Sequence, residues 1–148
     1  MHITISNELF QKIIYNSFGY NRETGGFLGL YNNAIVEYLF DEGMETLGAC
    51  TYRPNVAKFN EFIKMCSQKG IEKYGILHTH LNEEGTLSND DRVFIKNIFE
   101  VNSQIVEMYF PVVIPGKTMR IYEGNRTMEG IKIEGCIISL KDESTTGL

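Results

Sequence analysis

The chain has 148 residues, 43% of them hydrophobic, with a net charge of −5 and three cysteines. That mass suffices for one domain with its own core, and an acidic balance without a basic run argues against nucleic acid or an anionic membrane surface as partner. No apolar run approaches the roughly 18 residues of a membrane span, and Met1-His-Ile-Thr does not open like a signal peptide. Cys50, Cys66 and Cys136 lack the spacing of a disulfide framework or a cysteine zinc site, so a cytoplasmic location is expected.

In chain order, His2 reads as an exposed terminal residue. A helix is then expected from Ser6 to Phe18, capped by Ser6 and ended by Gly19, with Phe10, Ile13, Ile14 and Phe18 as its buried stripe. A strand should follow from Gly26 to Leu30. Tyr31-Asn-Asn33 reads as a hairpin turn into a second strand, Ala34 to Phe40, because Asn tolerates positive φ. Asp41 to Ala49 is acidic and glycine-bearing, more loop or strand edge than helix.

A second helix fits Val56 to Lys69, where Phe59, Phe62, Ile63 and Cys66 recur on one face. Cys66 is then a small core residue. The next strand, Tyr74 to His80, leads through a loop at Leu81 to Leu87 into a helix from Asn89 to Glu100. Asp91, Phe94, Ile95 and Ile98 share a face of that helix. Strands are expected over Gln104 to Val113, Thr118 to Tyr122 and Gly130 to Leu140, with turns at Pro115-Gly116 and Glu123-Gly124-Asn125. Residues 1–140 form the domain, and 141–148 a polar, frayed tail.

The chemistry concentrates in Gly75-Ile-Leu-His-Thr-His-Leu-Asn-Glu-Glu-Gly-Thr-Leu-Ser-Asn-Asp-Asp91, which contains the spacing H-x-H-x7-S-x2-D. His78 and His80 are two apart on a strand, so alternation aims both rings to one side and sends Thr79 to the other. Two imidazoles and a carboxylate suffice for a catalytic zinc, which takes three protein ligands and leaves a fourth position to water. Asp91 reaches the strand from the start of the following helix, where Ser88 reads as N-cap. A lone strand His is usually structural and Ser-x-x-Asp is usually only a cap; the four together at this spacing point to metal.

Upstream, Glu23 stands in Asn21-Arg-Glu-Thr-Gly-Gly-Phe-Leu-Gly-Leu30. A surface Glu beside a glycine turn is common. Beside a metal, however, a carboxylate that is not itself a ligand suits the proton transfer that peptide hydrolysis needs. Gly25 and Gly26 permit a close backbone approach or a tight turn just after it. Glu83, Glu84 and Asp90 read as solvated or dipole-favoured acids. Tyr52-Arg53-Pro54-Asn55 fits a substrate groove and a plain loop equally.

Glu-Thr-Gly-Gly-Phe-Leu-Gly followed by His-Thr-His-x7-Ser-x2-Asp resembles the JAMM motif of JAB/MPN domain metallopeptidases, over nearly the whole chain to about Leu140. The resemblance implies an α/β fold of the JAB/MPN type, a cytidine-deaminase-like layout with a curved, mixed, mainly antiparallel sheet and flanking helices. It implies a zinc isopeptidase or peptidase that cleaves at the C-terminus of a ubiquitin-like protein or its conjugate. His78, His80 and Asp91 would bind zinc, Glu23 would be general base and acid, and Ser88 would hydrogen-bond at the reacting centre. Leu81 stands where that family often has Pro after the second His, a change in loop backbone rather than in ligands. Two alternatives remain: a zinc hydrolase of small peptides or amides, and a non-catalytic interaction module. Family members of the latter kind have lost motif residues that this chain retains.

Overall fold

The computed structural model describes residues 1–44 and 51–142, so Cys50, part of the acidic loop and the tail from 143 onward lie outside the described residues. In chain order its elements are β1 (His2–Ser6), α1 (Asn7–Asn16), β2 (Gly25–Tyr31), β3 (Ala34–Asp41), α2 (Val56–Ser67), β4 (Lys73–Thr79), α3 (Asn89–Val101), β5 (Glu107–Ile114), β6 (Thr118–Thr127), β7 (Gly130–Gly135) and β8 (Ile137–Lys141).

The strands form one mixed sheet in the order β7-β6-β5-β4-β2-β3-β1-β8. β2 pairs antiparallel with β3 and β4, as β6 does with β5 and β7. β1 runs parallel to β3 and β8, and β4 parallel to β5. β7 and β8 stand at opposite margins, yet only Cys136 separates them in the chain. The sheet therefore curls until one stretch of chain serves both margins. The Cys136 N–H donates to the Ile121 carbonyl at 2.8 Å and the Ile137 N–H to that of Met1 at 2.9 Å. No helix among the described residues is long and apolar enough to cross a membrane.

Each face of the sheet has its own core. On one, α1 seats Ile13 and Ile14 against Ile3, Ile5, Leu28, Leu77, Val113 and Ile121. On the other, α2 and α3 press Phe62, Cys66, Ile95 and Phe99 onto Phe27, Ile76 and Phe110. Full burial of such a side chain stabilises by about 1.5–3 kcal/mol. Caps start the helices: Ser6, Asn55 and Ser88 each accept a backbone N–H of the first turn, worth about 1 kcal/mol apiece. The Asn turn forms as expected, with φ of 49° at Asn32 and 61° at Asn33, the positive values that a two-residue hairpin needs.

His2 is exposed, as expected, but it opens a strand for which no expectation was made: His2 to Ser6 lies in the sheet interior, with Ile3 and Ile5 buried on the other side. Three expectations are corrected. α1 ends at Asn16, so Phe18 lies beyond it and is 66% exposed instead of completing the stripe. Glu123-Gly124-Asn125 is mid-strand: Gly124 pairs with both Met108 and Ile133. A Cβ there would meet the Phe99 ring at 2.9 Å, so this glycine marks a close approach rather than a turn. The last expected strand breaks at Cys136 into two that serve different margins, and Lys141 belongs to β8 rather than to the tail.

Candidate metal centre

β4 carries His78, and His80 follows one residue past its end, still tied to β5 by its N–H donating to the Val113 carbonyl at 2.9 Å. Strand alternation puts both rings on the α2/α3 side, with their Nε2 atoms 2.9 Å apart. Asp91, in the first turn of α3, reaches both: Oδ1 lies 3.2 Å from His78 Nε2 and Oδ2 lies 3.1 Å from His80 Nε2. Among the described residues this is the one group of three or more such side chains whose ligand atoms all fall within 4.8 Å of one another. A tetrahedral zinc with bonds of about 2.0–2.1 Å spaces its ligand atoms about 3.3 Å apart. The observed separations are close to that, and two imidazoles with one carboxylate are a donor set zinc accepts. The residues fit the metal.

The surroundings orient two of the three ligands, His80 and Asp91. His80 Nδ1 lies 2.7 Å from the Glu84 carbonyl; a carbonyl can only accept, so Nδ1 carries a proton, and Nε2 is the atom that faces the cluster and would give its lone pair to a metal. The loop that supplies this carbonyl is itself held, because Tyr122 Oη donates to the Gly85 carbonyl at 2.8 Å. Ser88 and Asp91 form a capping box. Ser88 Oγ accepts the Asp91 N–H at 3.0 Å, and the Ser88 N–H donates to Asp91 Oδ2 at 2.9 Å. The cap thus turns the carboxylate toward the histidines, and the Ser88 hydroxyl proton stays available to a further acceptor.

Titration follows from these contacts in the metal-free cluster. Burial pushes the Asp91 carboxyl up, but hydrogen bonds from His78 and His80, with the Ser88 N–H, outweigh it and hold the group well below the usual carboxylate range. His80 is raised, chiefly by its bond to Asp91 and against the effect of burial, with help from the Glu84 carbonyl and the charges of Asp91 and Glu23.

Glu23 arrives from the neighbouring strand. β2 pairs with β4 so that Gly25 faces His78. The two chains continue together beyond that pair, as the Thr79 N–H donates to the Thr24 carbonyl at 2.9 Å and Thr79 Oγ1 accepts the Thr24 N–H at 2.8 Å. That register sets Glu23 beside His80 on the ligand side, where its Oε1 accepts the Tyr52 N–H at 3.2 Å. All five residues singled out in the sequence therefore gather at one end of the β2–β4 pair. Glu84, read as a solvated acid, contributes its main-chain oxygen, for which a sequence carries no signal. Tyr122 had none either. Ile95 of α3 is buried behind the site, and Phe94 is half-exposed at the rim of a groove.

No protein-family model matches the chain, and no curated protein matches it. Solved structures do. A protein from Desulfitobacterium hafniense, solved in solution, is similar at 11% identity over 97% of each chain with a TM-score of 0.58. Another, from Salinibacter ruber, is similar at 10% identity over 93% of this chain and 92% of that one, with a TM-score of 0.50. Both were structural genomics targets. At this identity the likeness is one of fold, a mixed α/β fold with a curled sheet.

Proposed function

We propose that this protein is a zinc metallopeptidase of the JAB/MPN type, acting in the cytoplasm on an amide bond at the C-terminus of a ubiquitin-like protein or its conjugate. The observation that carries the reading is the convergence of His78, His80 and Asp91 ligand atoms, with Glu23 set beside His80 just before the start of the adjacent strand β2. Zinc held there would supply a Lewis acid for the scissile carbonyl and an acidified water. Glu23 takes the proton of the attacking water and returns it to the leaving amine. The Ser88 hydroxyl, whose oxygen accepts the Asp91 N–H, donates a hydrogen bond to the oxyanion that develops on the carbonyl. A groove of about 820 Å³ between α2 and α3, lined by Arg53, Phe59, Tyr74, Ile76 and Phe94 among others, opens over the part of β4 that precedes His78, although none of the proposed ligands lines it. Its largely apolar lining suits an apolar stretch of a substrate chain.

The test is zinc content by elemental analysis together with mass-spectrometric digests of ubiquitin-like proteins bearing C-terminal extensions, run beside dipeptides. The expected result is stoichiometric zinc and cleavage of the extensions in preference to dipeptides. Glu23→Gln should keep zinc and lose turnover by about two to four orders of magnitude, the usual worth of general acid–base catalysis. Zinc loss in that variant would make Glu23 a ligand and require the roles to be redrawn.

A further inference from the structure

We infer that Tyr52, anchored by the buried carboxylate of Asp41, is the positioning residue that aims Glu23 at the ligand cluster. The inference rests on the proposed role of Glu23 as the proton-handling carboxylate, and adds what holds it in place.

The sheet register supplies the frame. Asp41 of β3 pairs with Gly25 of β2, and Gly25 pairs with His78 of β4, so the three stand in one row across three strands. Paired residues of antiparallel strands point to the same side. The middle position has no side chain, and the Tyr52 ring occupies the space above it: a Cβ on Gly25 would lie 2.3 Å from Tyr52 Cζ. Any residue but glycine at 25 would meet that ring and also the Leu77 carbonyl of β4, 2.4 Å from such a Cβ, so Tyr52→Phe is the cleaner probe of the ring's anchor. The first glycine after Glu23 is thus explained by packing, since Gly25 is a strand residue and not a turn.

Asp41 is 3% exposed, and a buried carboxylate is costly unless donors surround it. Among the described residues its hydrogen-bond donors come from the two ends of the connection between β3 and α2, and the Lys58 ammonium of α2 stands 4.0 Å from Oδ1. Gly43 N–H reaches Oδ1 at 3.1 Å, while Tyr52 Oη and Asn55 N–H reach Oδ2 at 2.7 and 2.9 Å. The Met44 N–H adds a bond to the Arg53 carbonyl at 2.7 Å. Tyr52 is thereby held at three points: hydroxyl on Asp41, ring on Gly25, and main-chain N–H on Glu23 Oε1 at 3.2 Å. The last bond orients the carboxylate and cannot be deleted by a side-chain change. It can be misplaced by removing the other two anchors, and displacement of about 1 Å near a reacting centre costs up to a hundredfold in rate.

Two readouts test this. In the metal-free protein, the residue-52 amide proton should shift upfield in Glu23→Gln, which removes the charged acceptor, and also in Tyr52→Phe, which frees the hydroxyl anchor. In the zinc-loaded protein, Tyr52→Phe should lower kcat about ten- to a hundredfold with KM and zinc content unchanged, and Gly25→Ala should lower it further. Ile14→Val, in the core of the opposite face, is the comparator that loses stability and keeps kcat. An amide that ignores Glu23→Gln, or wild-type kcat in Tyr52→Phe, overturns the inference. An amide that responds in a protein that hydrolyses none of the substrates supports the Tyr52–Glu23 contact and overturns the peptidase reading instead.

Discussion

Two groups of titratable side chains lie on opposite faces of the same sheet, and they differ in everything that makes a site. On the α1 side, Glu123 is buried beside Cys136, and next to it the Tyr109 hydroxyl donates to Glu107. Burial pushes the Cys136 thiol up to about 11, and the charge of Glu123 adds to it, so the thiol stays protonated and inert. These groups satisfy one another, with Asn125 donating to Glu123 and Lys73 pairing with Glu107. On the α2/α3 side, the Nε2 atoms of His78 and His80 and the carboxylate of Asp91 converge on one another, and main-chain groups orient His80 and Asp91 from behind. Burial and perturbed titration occur in both. What separates them is convergence of unlike donors on one point, and only the second group has it.

That contrast is broken most decisively at the ligands. His78→Ala or Asp91→Ala leaves two protein ligands, too few to hold zinc against a chelator, so metal and turnover should both vanish. Elemental analysis after dialysis checks it, and stoichiometric zinc in both variants would return the cluster to a structural role. Next in size is Ser88→Ala. Loss of a donor to the oxyanion should cost about a hundredfold or more in rate; loss of the cap alone should cost about 1 kcal/mol of stability and leave rate intact. Turnover measured well below Tm, with zinc content confirmed, separates the two. The capping box shows that the stability loss must appear in either case.

Acidity sharpens the comparison further. Without metal, the raised His80 stabilises the fold fully below the ordinary histidine value of about 6.5 and stops doing so as pH rises through its higher folded value. The depressed Asp91 stabilises above its ordinary value of about 3.9 and fails as pH falls toward its folded value. The metal-free protein should therefore show its highest Tm between about pH 4 and 6.5, and His80→Gln should flatten the alkaline side of that profile. Added zinc should restore Tm above pH 7, since deprotonated imidazole is the form that binds metal. The smallest effect belongs to the other cluster: Cys136→Ala should leave zinc content and turnover within about twofold, because Cys136 lies on the opposite face from the groups proposed to act.

Much of this was legible before the fold was known. The caps at Ser6 and Ser88, the Asn32-Asn33 turn, α2 and the two-apart histidines on β4 are all decided by residues within a few positions of one another. β1 was legible too, since His2-Ile-Thr-Ile-Ser alternates, yet its place next to the chain start disguised an interior strand. Gly124 misled because glycine serves both turns and close packing, and only the Phe99 ring across from it shows which.

The sequence by itself determined the donor types, their spacing along the chain and the local elements that bear them, since caps, turns and strand alternation act over a few residues. Tertiary structure alone decided how they meet. The Thr24–Thr79 bonds span 55 positions and carry Glu23 to His80. The Tyr122 bond that steadies the loop under His80 spans 37, and the Asp41–Tyr52–Glu23 chain joins the end of one strand to the start of another. Such contacts depend on which strands become neighbours and in what register. That choice is made by burial of both sheet faces at once, a property of the whole chain and of no segment in it.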